Sequence, residues 1–277
     1  MTQPDASPLP HQIDPGSLAA LPRTSGVYIF KGEGTLPLYI GKSVDIRSRV
    51  LSHLRAEDEA EMIAQSRRVE FIETAGEIGA LLLEARLIKQ QSPLFNIRLR
   101  RLRNLCSIRL AEQDGVVSPE ILSGKAVAVG QADDLYGLFS SVHSAQSKLR
   151  ELADQHRLCL GLLGLEKISK RGCFGLQVKT CLGACVGKEG RREHDQRLFS
   201  ALVDMKVQVW PFPGAVDLVE QSGDWVQRHR IQDWRYMGTW CSRANELSTH
   251  EQHGFDLDTY KILVKPIMMG TATVEVV

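Results

Sequence analysis

The regular hydrophobic pattern of the chain begins with two short apolar runs that flank a polar segment containing Gly and Pro. The first run covers residues 26–30 and the second covers residues 38–42. Each run places a β-branched residue beside a tyrosine, which is Tyr28 in the first run and Tyr39 in the second. Apolar runs arranged in this way are typical of a β-hairpin with a longer loop. We therefore predict a hairpin with one tyrosine on each strand.

The pattern that follows the hairpin changes from helical spacing to strand-like spacing. Residues 43–55 have the apolar spacing of an amphipathic helix. Arg49 and His53 share one face of this helix because they lie four positions apart. Residues 68–73 alternate apolar and polar positions, which predicts a third strand.

A leucine-rich helix is predicted over residues 77–91, and the carboxylate of Glu84 lies directly after three of its leucines. A buried carboxylate without a partner is costly, so Glu84 lies either on the exposed face of the helix or against a group that it coordinates. Asn96 follows this helix between two apolar residues. Together these elements predict an α/β domain of the α+β kind over residues 23–103, with a small central sheet flanked by helices.

The second part of the chain has shorter patterns, which predict a smaller mixed α+β C-terminal domain over residues 104–277. The helices that we predict there cover 144–157 and 195–208, and the strands lie within 107–130, 216–220, 225–227, 236–239 and 260–264. Residues 1–22 are rich in proline and have neither the basic nor the apolar region of a signal peptide. We expect them to form a flexible leader.

Composition narrows the class of protein. The 277 residues are 43% hydrophobic and 24% charged, which suits two domains with real cores. The formal net charge is +1, so the whole molecule is not a polycation. No apolar run reaches the length of a membrane span, and no secretion signal is evident, so we expect a cytoplasmic protein without a membrane partner. In that reducing compartment the six cysteines are expected to be free, catalytic or metal-binding.

Four of the cysteines fall within one segment, residues 159–185. They are Cys159, Cys173, Cys181 and Cys185. Four thiolates suit either tetrahedral zinc or an iron–sulfur cluster, and their spacing chooses only weakly between the two. Unrelated structural cysteines are the alternative, and Cys106 and Cys241, which lie outside the segment, are interpreted in that way.

The motifs described so far resemble the GIY-YIG nuclease domain of the UvrC excinuclease family. Residues 26–28 and 39–41 stand for the two halves of the name, reading Gly-Val-Tyr and Tyr-Ile-Gly. The matching residues that follow in the order of the family are Lys42, Arg49, Glu84 within the run Ala-Leu-Leu-Leu-Glu-Ala, and Asn96. The four-cysteine segment is also similar to that of UvrC proteins, and this resemblance implies a 4Fe-4S cluster with Zn²⁺ as the alternative.

The resemblance implies a metal-dependent DNA endonuclease of nucleotide excision repair. Because the sequence ends before the second nuclease domain of full-length members, its architecture is similar to that of a short UvrC homologue that makes only the 3′ incision. The implied substrate is damaged double-stranded DNA, cut on the 3′ side of the lesion. The implied partner is UvrB, with UvrA required for loading.

Catalytic roles follow from the needs of phosphodiester hydrolysis. Glu84 is assigned to a single Mg²⁺ or Mn²⁺ ion. Tyr28 or Tyr39, with a phenolic pKa lowered by Lys42, Arg49 and the metal, would accept the proton of the attacking water, and Tyr28 is favoured. Arg49 would stabilise the pentacovalent phosphate, while Asn96 would orient the hairpin or the phosphate by hydrogen bonding.

Two basic bands are candidate DNA contacts. One band runs from residue 86 to residue 103 without an acid, and the other runs from residue 167 to residue 197. A charge run is most often a solvated face, but two such bands beside nuclease-like residues favour contact with the phosphate backbone. The predicted DNA-binding residues are Arg86, Lys89, Arg98, Arg100, Arg101, Arg103, Lys179 and Lys188.

Two other functions compete with a repair nuclease. A non-catalytic DNA-binding protein could keep the same scaffold, but such a role does not need Tyr28, Tyr39, Arg49 and Glu84 together. A sequence-specific GIY-YIG nuclease outside repair is the second alternative, and the cysteine segment disfavours it.

Overall fold

The computed structural model describes residues 8–96, 105–113, 115–244, 246–249 and 255–277. The chain forms two compact units, the first from Met1–Arg101 together with Phe212–Val277 and the second from Leu102–Pro211. This division differs from the predicted single domain over 104–277. The C-terminal residues belong to the same unit as the hairpin, because long-range hydrogen bonds and ion pairs described below join them to it.

The N-terminal part of the first unit is a small antiparallel sheet flanked by helices. Its elements are α1 (Pro15–Ala19), β1 (Gly26–Lys31), β2 (Pro37–Ser43), α2 (Ile46–His53), α3 (Ala60–Gln65), β3 (Arg68–Glu73) and α4 (Glu77–Gln91). The strand order is β2-β1-β3, so β1 is central. The hairpin, the third strand and the leucine-rich helix are thus present as predicted, and the α+β fold class is confirmed.

The described part of the predicted leader is packed and not loose. Ile13 and Leu21 are only 3% and 4% exposed and belong to the core that contains Phe30 and Val50. The Asp14 backbone N–H donates to the Arg67 carbonyl at 2.7 Å, which joins the leader to the residue before β3. The prediction of a flexible leader is therefore wrong for residues 8–22.

The described residues of the second unit contain a three-stranded sheet, three α-helices and the cysteine segment. Its elements are β4 (Cys106–Gln113), β5 (Val116–Ser123), β6 (Leu135–Phe139), α5 (Val142–His156), α6 (Phe174–Gln177) and α7 (Arg191–Leu202). The strand order is β5-β4-β6, and the buried faces of α5 and α7 share one core with Ile108 of β4. The apolar piece at residues 126–129, which the alternating pattern within 107–130 placed in a strand, instead ends a short 3₁₀ helix and continues as an irregular segment into a turn.

The C-terminal part of the first unit, where it is described, is a five-stranded antiparallel sheet with one helix. Its elements are β7 (Val216–Ser222), β8 (Trp225–Gln232), β9 (Arg235–Cys241), β10 (Glu246–Thr249), α8 (Leu257–Met268) and β11 (Thr273–Val276), in the order β10-β9-β8-β7-β11. The strand predicted at 260–264 is wrong, because these residues lie within α8. No helix in the described ranges is long and apolar enough to cross a membrane.

Candidate active site and cysteine centre

The hairpin brings the two tyrosine side chains together over one glycine. In the register of β1 and β2, Tyr28 lies opposite Gly41, and the Tyr28 and Tyr39 ring centroids are 6.3 Å apart. A Cβ atom at Gly41 would lie 2.4 Å from the Tyr28 oxygen and 2.8 Å from Cε1 of Tyr39. Position 41 therefore needs glycine, because both rings approach its backbone closely.

Tyr28 belongs to a chain of hydrogen bonds that the sequence pattern did not predict. Its phenolic oxygen lies 2.6 Å from Nε2 of His53, and Nδ1 of His53 lies within hydrogen-bond distance of the Glu59 carboxylate. Burial lowers the pKa of His53, so the imidazole is neutral near pH 7. We assign Nδ1–H as the donor to Glu59 and Nε2 as the acceptor from the Tyr28 hydroxyl. The only sequence signal for His53 was its spacing of four from Arg49.

The pKa values of the two tyrosines are shifted upward, whereas the sequence-based prediction was a downward shift. Burial raises the pKa of Tyr28, and its hydrogen bond with Arg49 opposes this shift. Burial also raises the pKa of Tyr39, and the charge of Glu84 adds to that rise. Arg49 lowers both values as expected, but burial outweighs it in the protein alone. Both phenols are therefore protonated at neutral pH.

Arg49 presents an exposed guanidinium at the tyrosine cluster. It lies on α2 one turn before His53, and its side chain is exposed to solvent. A hydrogen bond with Tyr28 raises the pKa of Arg49. An exposed guanidinium fork held in this way suits the oxygens of a phosphodiester.

Glu84 approaches the same end of the hairpin from α4. Its Oε1 accepts a hydrogen bond from the Lys42 backbone N–H at 3.0 Å, while the Lys42 ammonium lies 2.5 Å from Glu77. Burial raises the pKa of Glu84, and the Lys42 N–H opposes that shift. A partly buried carboxylate whose ionised form is disfavoured fits an oxygen-preferring divalent cation, because the cation would restore the charged form.

Asn96 holds the edge strand of the hairpin. Its Oδ1 accepts from the Ile40 backbone N–H at 2.9 Å, and its Nδ2 donates to the Ile40 carbonyl at 2.8 Å. The side chain thus pairs with β2 as another strand would, and it orients Tyr39 and Gly41 on either side of Ile40. The structure therefore brings Tyr28, Tyr39, Lys42, Arg49, Glu84 and Asn96 together at the hairpin.

The predicted DNA-binding residues differ in their exposure to solvent and in their partners. Lys179 and Lys188 are exposed, and Arg86 is partly buried with a pKa that burial lowers. The prediction that Lys89 contacts DNA is corrected. Its ammonium lies 2.5 Å from Asp256 and 2.6 Å from Asp258, and its side chain is only 15% exposed. Four further predictions lie outside the described residues, and they are Arg98, Arg100, Arg101 and Arg103.

The four clustered cysteines converge in the second unit. The sulfur atoms of Cys159, Cys173, Cys181 and Cys185 all lie within 4.8 Å of one another. Backbone N–H groups donate to two of these sulfurs, from Leu176 at 3.3 Å and from Gly183 at 3.2 Å. A tetrahedral ion with bonds of about 2.3 Å holds its sulfurs roughly 3.8 Å apart, so sulfurs that all lie within 4.8 Å of one another suit a single tetrahedral ion. A 4Fe-4S core binds each thiolate at a different iron, so it requires the four sulfurs to lie farther apart than they do here.

Burial disfavours ionised thiols in this centre when no metal is bound. It raises the pKa of Cys159 and of Cys173 to about 11. The Cys159 backbone N–H donates to Nε2 of His194 at 3.1 Å, and Nδ1 of His194 lies 3.1 Å from Asp195. A positive ion would favour the thiolate forms, so the chemistry of the donor set, apart from its spacing, fits a metal or an iron–sulfur cluster.

Three family models match consecutive parts of the chain. The UvrC-like GIY-YIG domain matches residues 24–97, the UvrC/Cho excinuclease middle domain matches residues 105–204, and the excinuclease Cho C-terminal domain matches residues 215–277.

Relatives of known name agree with these matches. Excinuclease Cho of Shigella flexneri is 51% identical over 254 residues, which cover 90% of this chain and 84% of the relative. UvrABC system protein C of Methanosarcina acetivorans is 30% identical over 195 residues, 68% of this chain and 36% of the relative. The magnesium-bound GIY-YIG endonuclease domain of UvrC from Thermotoga maritima is 34% identical and covers 30% of this chain and 93% of that one. Its TM-score is 0.28, so the family models and not this superposition identify the domain.

Proposed function

The chain belongs to the Cho excinuclease family of UvrC-like GIY-YIG endonucleases, and from that premise we propose that it hydrolyses a DNA phosphodiester on the 3′ side of a lesion. The resemblance to UvrC proteins and the assignment as a DNA endonuclease are thus confirmed. The finer proposal is that UvrB, after loading by UvrA, presents damaged double-stranded DNA to this enzyme.

The observation that carries the proposal is the approach of Glu84 to the tyrosine hairpin. Its carboxylate accepts a hydrogen bond from the backbone N–H of Lys42. Lys42 follows Gly41, whose backbone both tyrosine rings approach closely. Arg49 adds an exposed cation through its hydrogen bond with Tyr28. A carboxylate, a phenol and a guanidinium at one place can supply the metal binding, proton transfer and charge neutralisation that phosphodiester hydrolysis requires.

Glu84 would hold the divalent cation, Mg²⁺ or Mn²⁺, which when bound supplies Lewis-acid neutralisation of the phosphate charge. Tyr28 accepts the proton of the attacking water while its own phenolic proton passes to Nε2 of His53. Glu59 then stabilises the imidazolium through the Nδ1 hydrogen bond. This relay removes the need for a phenolate, which burial makes unfavourable. Arg49 neutralises charge on the phosphate, and Tyr39 remains the alternative base.

The cysteine centre is proposed to be structural. Cys159, Cys173, Cys181 and Cys185 would hold a 4Fe-4S cluster once their sulfurs move apart, with Zn²⁺, which the observed spacing suits, as the alternative. Either group would fix the loops that carry the exposed residues Lys179 and Lys188, which we propose as phosphate contacts.

The test is incision mapping on an end-labelled duplex with one lesion. The whole protein is incubated with Mg²⁺, with and without UvrA and UvrB, and an undamaged duplex of the same sequence is the control. We expect a single cut on the 3′ side of the lesion only when both partners are present. Binding without any cut would favour the non-catalytic function. Cutting of the undamaged duplex at a fixed sequence would favour a sequence-specific nuclease.

A further inference from the structure

Helix α4, which carries Glu84, lacks a side chain of its own to cap its first turn. The N-cap position is Gly76, and the helix begins at Glu77. The first N–H groups of any helix have no partner within the helix, so they need an acceptor from elsewhere. A helix without a cap frays from that end, and Glu84 lies two turns farther along.

The missing acceptor is Glu220, on strand β7 of the C-terminal sheet. Its two carboxylate oxygens accept from the Ile78 N–H at 2.8 Å and from the Gly79 N–H at 2.7 Å. A carboxylate at this place also interacts favourably with the positive end of the helix dipole. Beside it, the Ala75 N–H donates to Oε1 of Gln227 at 2.9 Å.

Two glycines make room for this approach. A Cβ atom at Gly76 would lie 2.2 Å from Oε1 of Glu220, and one at Gly79 would lie 2.9 Å from Cε1 of His229. Neither glycine has a positive φ, so backbone freedom does not explain them. Both positions need glycine because the C-terminal sheet touches the helix terminus there.

A buried chain of hydrogen bonds fixes the Glu220 side chain. Nε2 of His229 lies 3.1 Å from Glu220, and Nδ1 of the same ring lies 2.7 Å from Oγ1 of Thr239. His229 is 1% exposed. Burial alone would raise the pKa of Glu220, but its hydrogen bonds with His229, Gly79 and Ile78 hold that pKa below its ordinary value. Glu220 is therefore ionised at neutral pH.

The far end of α4 is held by the same part of the chain. Lys89 in the last turn lies between Asp256 and Asp258 at 2.5 and 2.6 Å, and Asp256 is also the N-cap of α8. Strand β7 and the start of α8 thus contact α4 before and after Glu84.

We propose that the C-terminal sheet and α8 form a clamp that holds α4 in the position that the Glu84 cation site requires, with Glu220 as the main positioning residue. The role of Glu84 in this inference rests on the proposed function. The capping contact itself does not, since it is defined by the Ile78 and Gly79 amides.

The first experiment compares Glu220→Ala with Glu275→Ala in the whole protein. Glu275 is a matched control because it lies on β11 of the same sheet and pairs with Arg228. We expect Glu220→Ala to raise the Mg²⁺ concentration for half-maximal nicking and to lower kcat about tenfold, with DNA affinity unchanged. Hydrogen exchange at the Ile78 and Gly79 amides should become faster. Glu220→Gln, which keeps one acceptor oxygen, should lie between the two and guards against misfolding of the alanine variant.

The second experiment asks whether a local cap replaces the distant one. Gly76 has extended backbone angles, φ −163° and ψ −175°, which an aspartate N-cap can adopt. In the native background, Gly76→Asp should be harmful because its Cβ meets Glu220. In the Glu220→Ala background, the same change should restore amide protection and Mg²⁺ dependence. If Glu220 contributed only packing, Gly76→Asp would not change from harmful in the native background to beneficial in the Glu220→Ala background.

Unchanged Mg²⁺ dependence together with unchanged exchange at Ile78 and Gly79 in Glu220→Ala would overturn the clamp. Failure of the proposed function would look different. Glu84→Gln would then nick normally with Mg²⁺, while the exchange experiment would still report whether Glu220 caps α4.

Discussion

The phenolic oxygen of Tyr28 and Nε2 of His53 are 2.6 Å apart, and the two residues are only 1% and 2% exposed. Burial shifts the two pKa values in opposite directions, raising that of the phenol and lowering that of the imidazole. Both shifts favour the neutral pair. The Tyr28 proton can therefore move to His53 only when the phenolic oxygen receives another proton, as it does from an attacking water.

The relay predicts a pH profile that depends on His53. Nicking requires a neutral imidazole, so the rate should fall as the pH falls through the folded-state pKa of His53, which lies below the ordinary value of about 6.5. The free energy of unfolding should change with pH in the same direction. The neutral, buried His53 contributes to it fully above the ordinary pKa, and this contribution is lost as the pH falls through the lowered pKa of the folded state. His53→Gln should remove this limb and slow nicking about 100-fold.

Single-turnover nicking between pH 5 and 9, roughly the range in which histidine titrates, measures the profile. His143→Gln is the control, since His143 is exposed on α5. An unaltered acid limb in His53→Gln would show that another group titrates.

Replacement of each tyrosine by Phe separates the two phenols. Tyr28→Phe should lose about 100-fold or more in rate, because it removes the oxygen that bonds to His53 and Arg49. Tyr39→Phe should lose less, because its ring still packs against Tyr28 and His53. The measurement is the nicking rate with saturating Mg²⁺, alongside Tm to verify folding. Native rates in both variants would rule out a tyrosine base.

Local patterns predicted the hairpin and α4 well. The predicted strands 26–30 and 38–42 are Gly26–Lys31 and Pro37–Ser43, and the predicted helix 77–91 is Glu77–Gln91. Their apolar spacing is set by one sheet face or one helix face, so the signal lies within a few residues.

The wrong strand at 260–264 shows where a short window fails. Five residues with a β-branched and aromatic bias resemble a strand, yet the buried positions Leu257, Tyr260, Leu263 and Ile267 repeat every three or four residues. The N-cap Asp256 starts the helix by accepting from Thr259 at 3.2 Å. A longer window that included the cap contains this information.

Partners that are distant in sequence could not be predicted. Lys89 looked like part of a DNA-binding band because its neighbours in sequence are basic, but its acidic partners come from residues 256 and 258. Glu220 acts 142 residues away from Ile78. Only packing brings such pairs together, and a single sequence has no local signal for it.

Gly41 gives a prediction about packing that is independent of the metal. Gly41→Ala places a methyl group 2.4 Å from the Tyr28 oxygen, so the rings must move. We expect the free energy of unfolding to fall by about 1–3 kcal/mol and nicking to be strongly reduced. Gly34→Ala is the control, because nothing lies within 4 Å of a Cβ there, and its change should be within about 0.5 kcal/mol. Denaturant unfolding measures both variants, and equal stability would contradict the close approach.

Glu84→Gln tests the cation assignment. The amide keeps an oxygen that can accept from the Lys42 N–H, so the fold should be retained. The loss of charge should reduce Mg²⁺-dependent nicking about 100-fold or more, with little change in DNA binding. Binding is measured by electrophoretic mobility shift and nicking by conversion of supercoiled plasmid or labelled duplex. A normal nicking rate would show that Glu84 is not the metal ligand.

The cysteine centre predicts loading that is linked to pH. Because the pKa values of Cys159 and Cys173 are about 11 without metal, binding must release their protons, and apparent metal affinity should rise with pH through the neutral range. Anaerobically purified protein should contain iron with acid-labile sulfide, and Cys173→Ser should lose both, whereas Cys106→Ala, outside the cluster, should keep them. Zinc in place of iron would select the tetrahedral alternative. Metal-free protein that shows no proton release on loading would contradict a thiolate centre, because ligation by four thiolates requires their deprotonation.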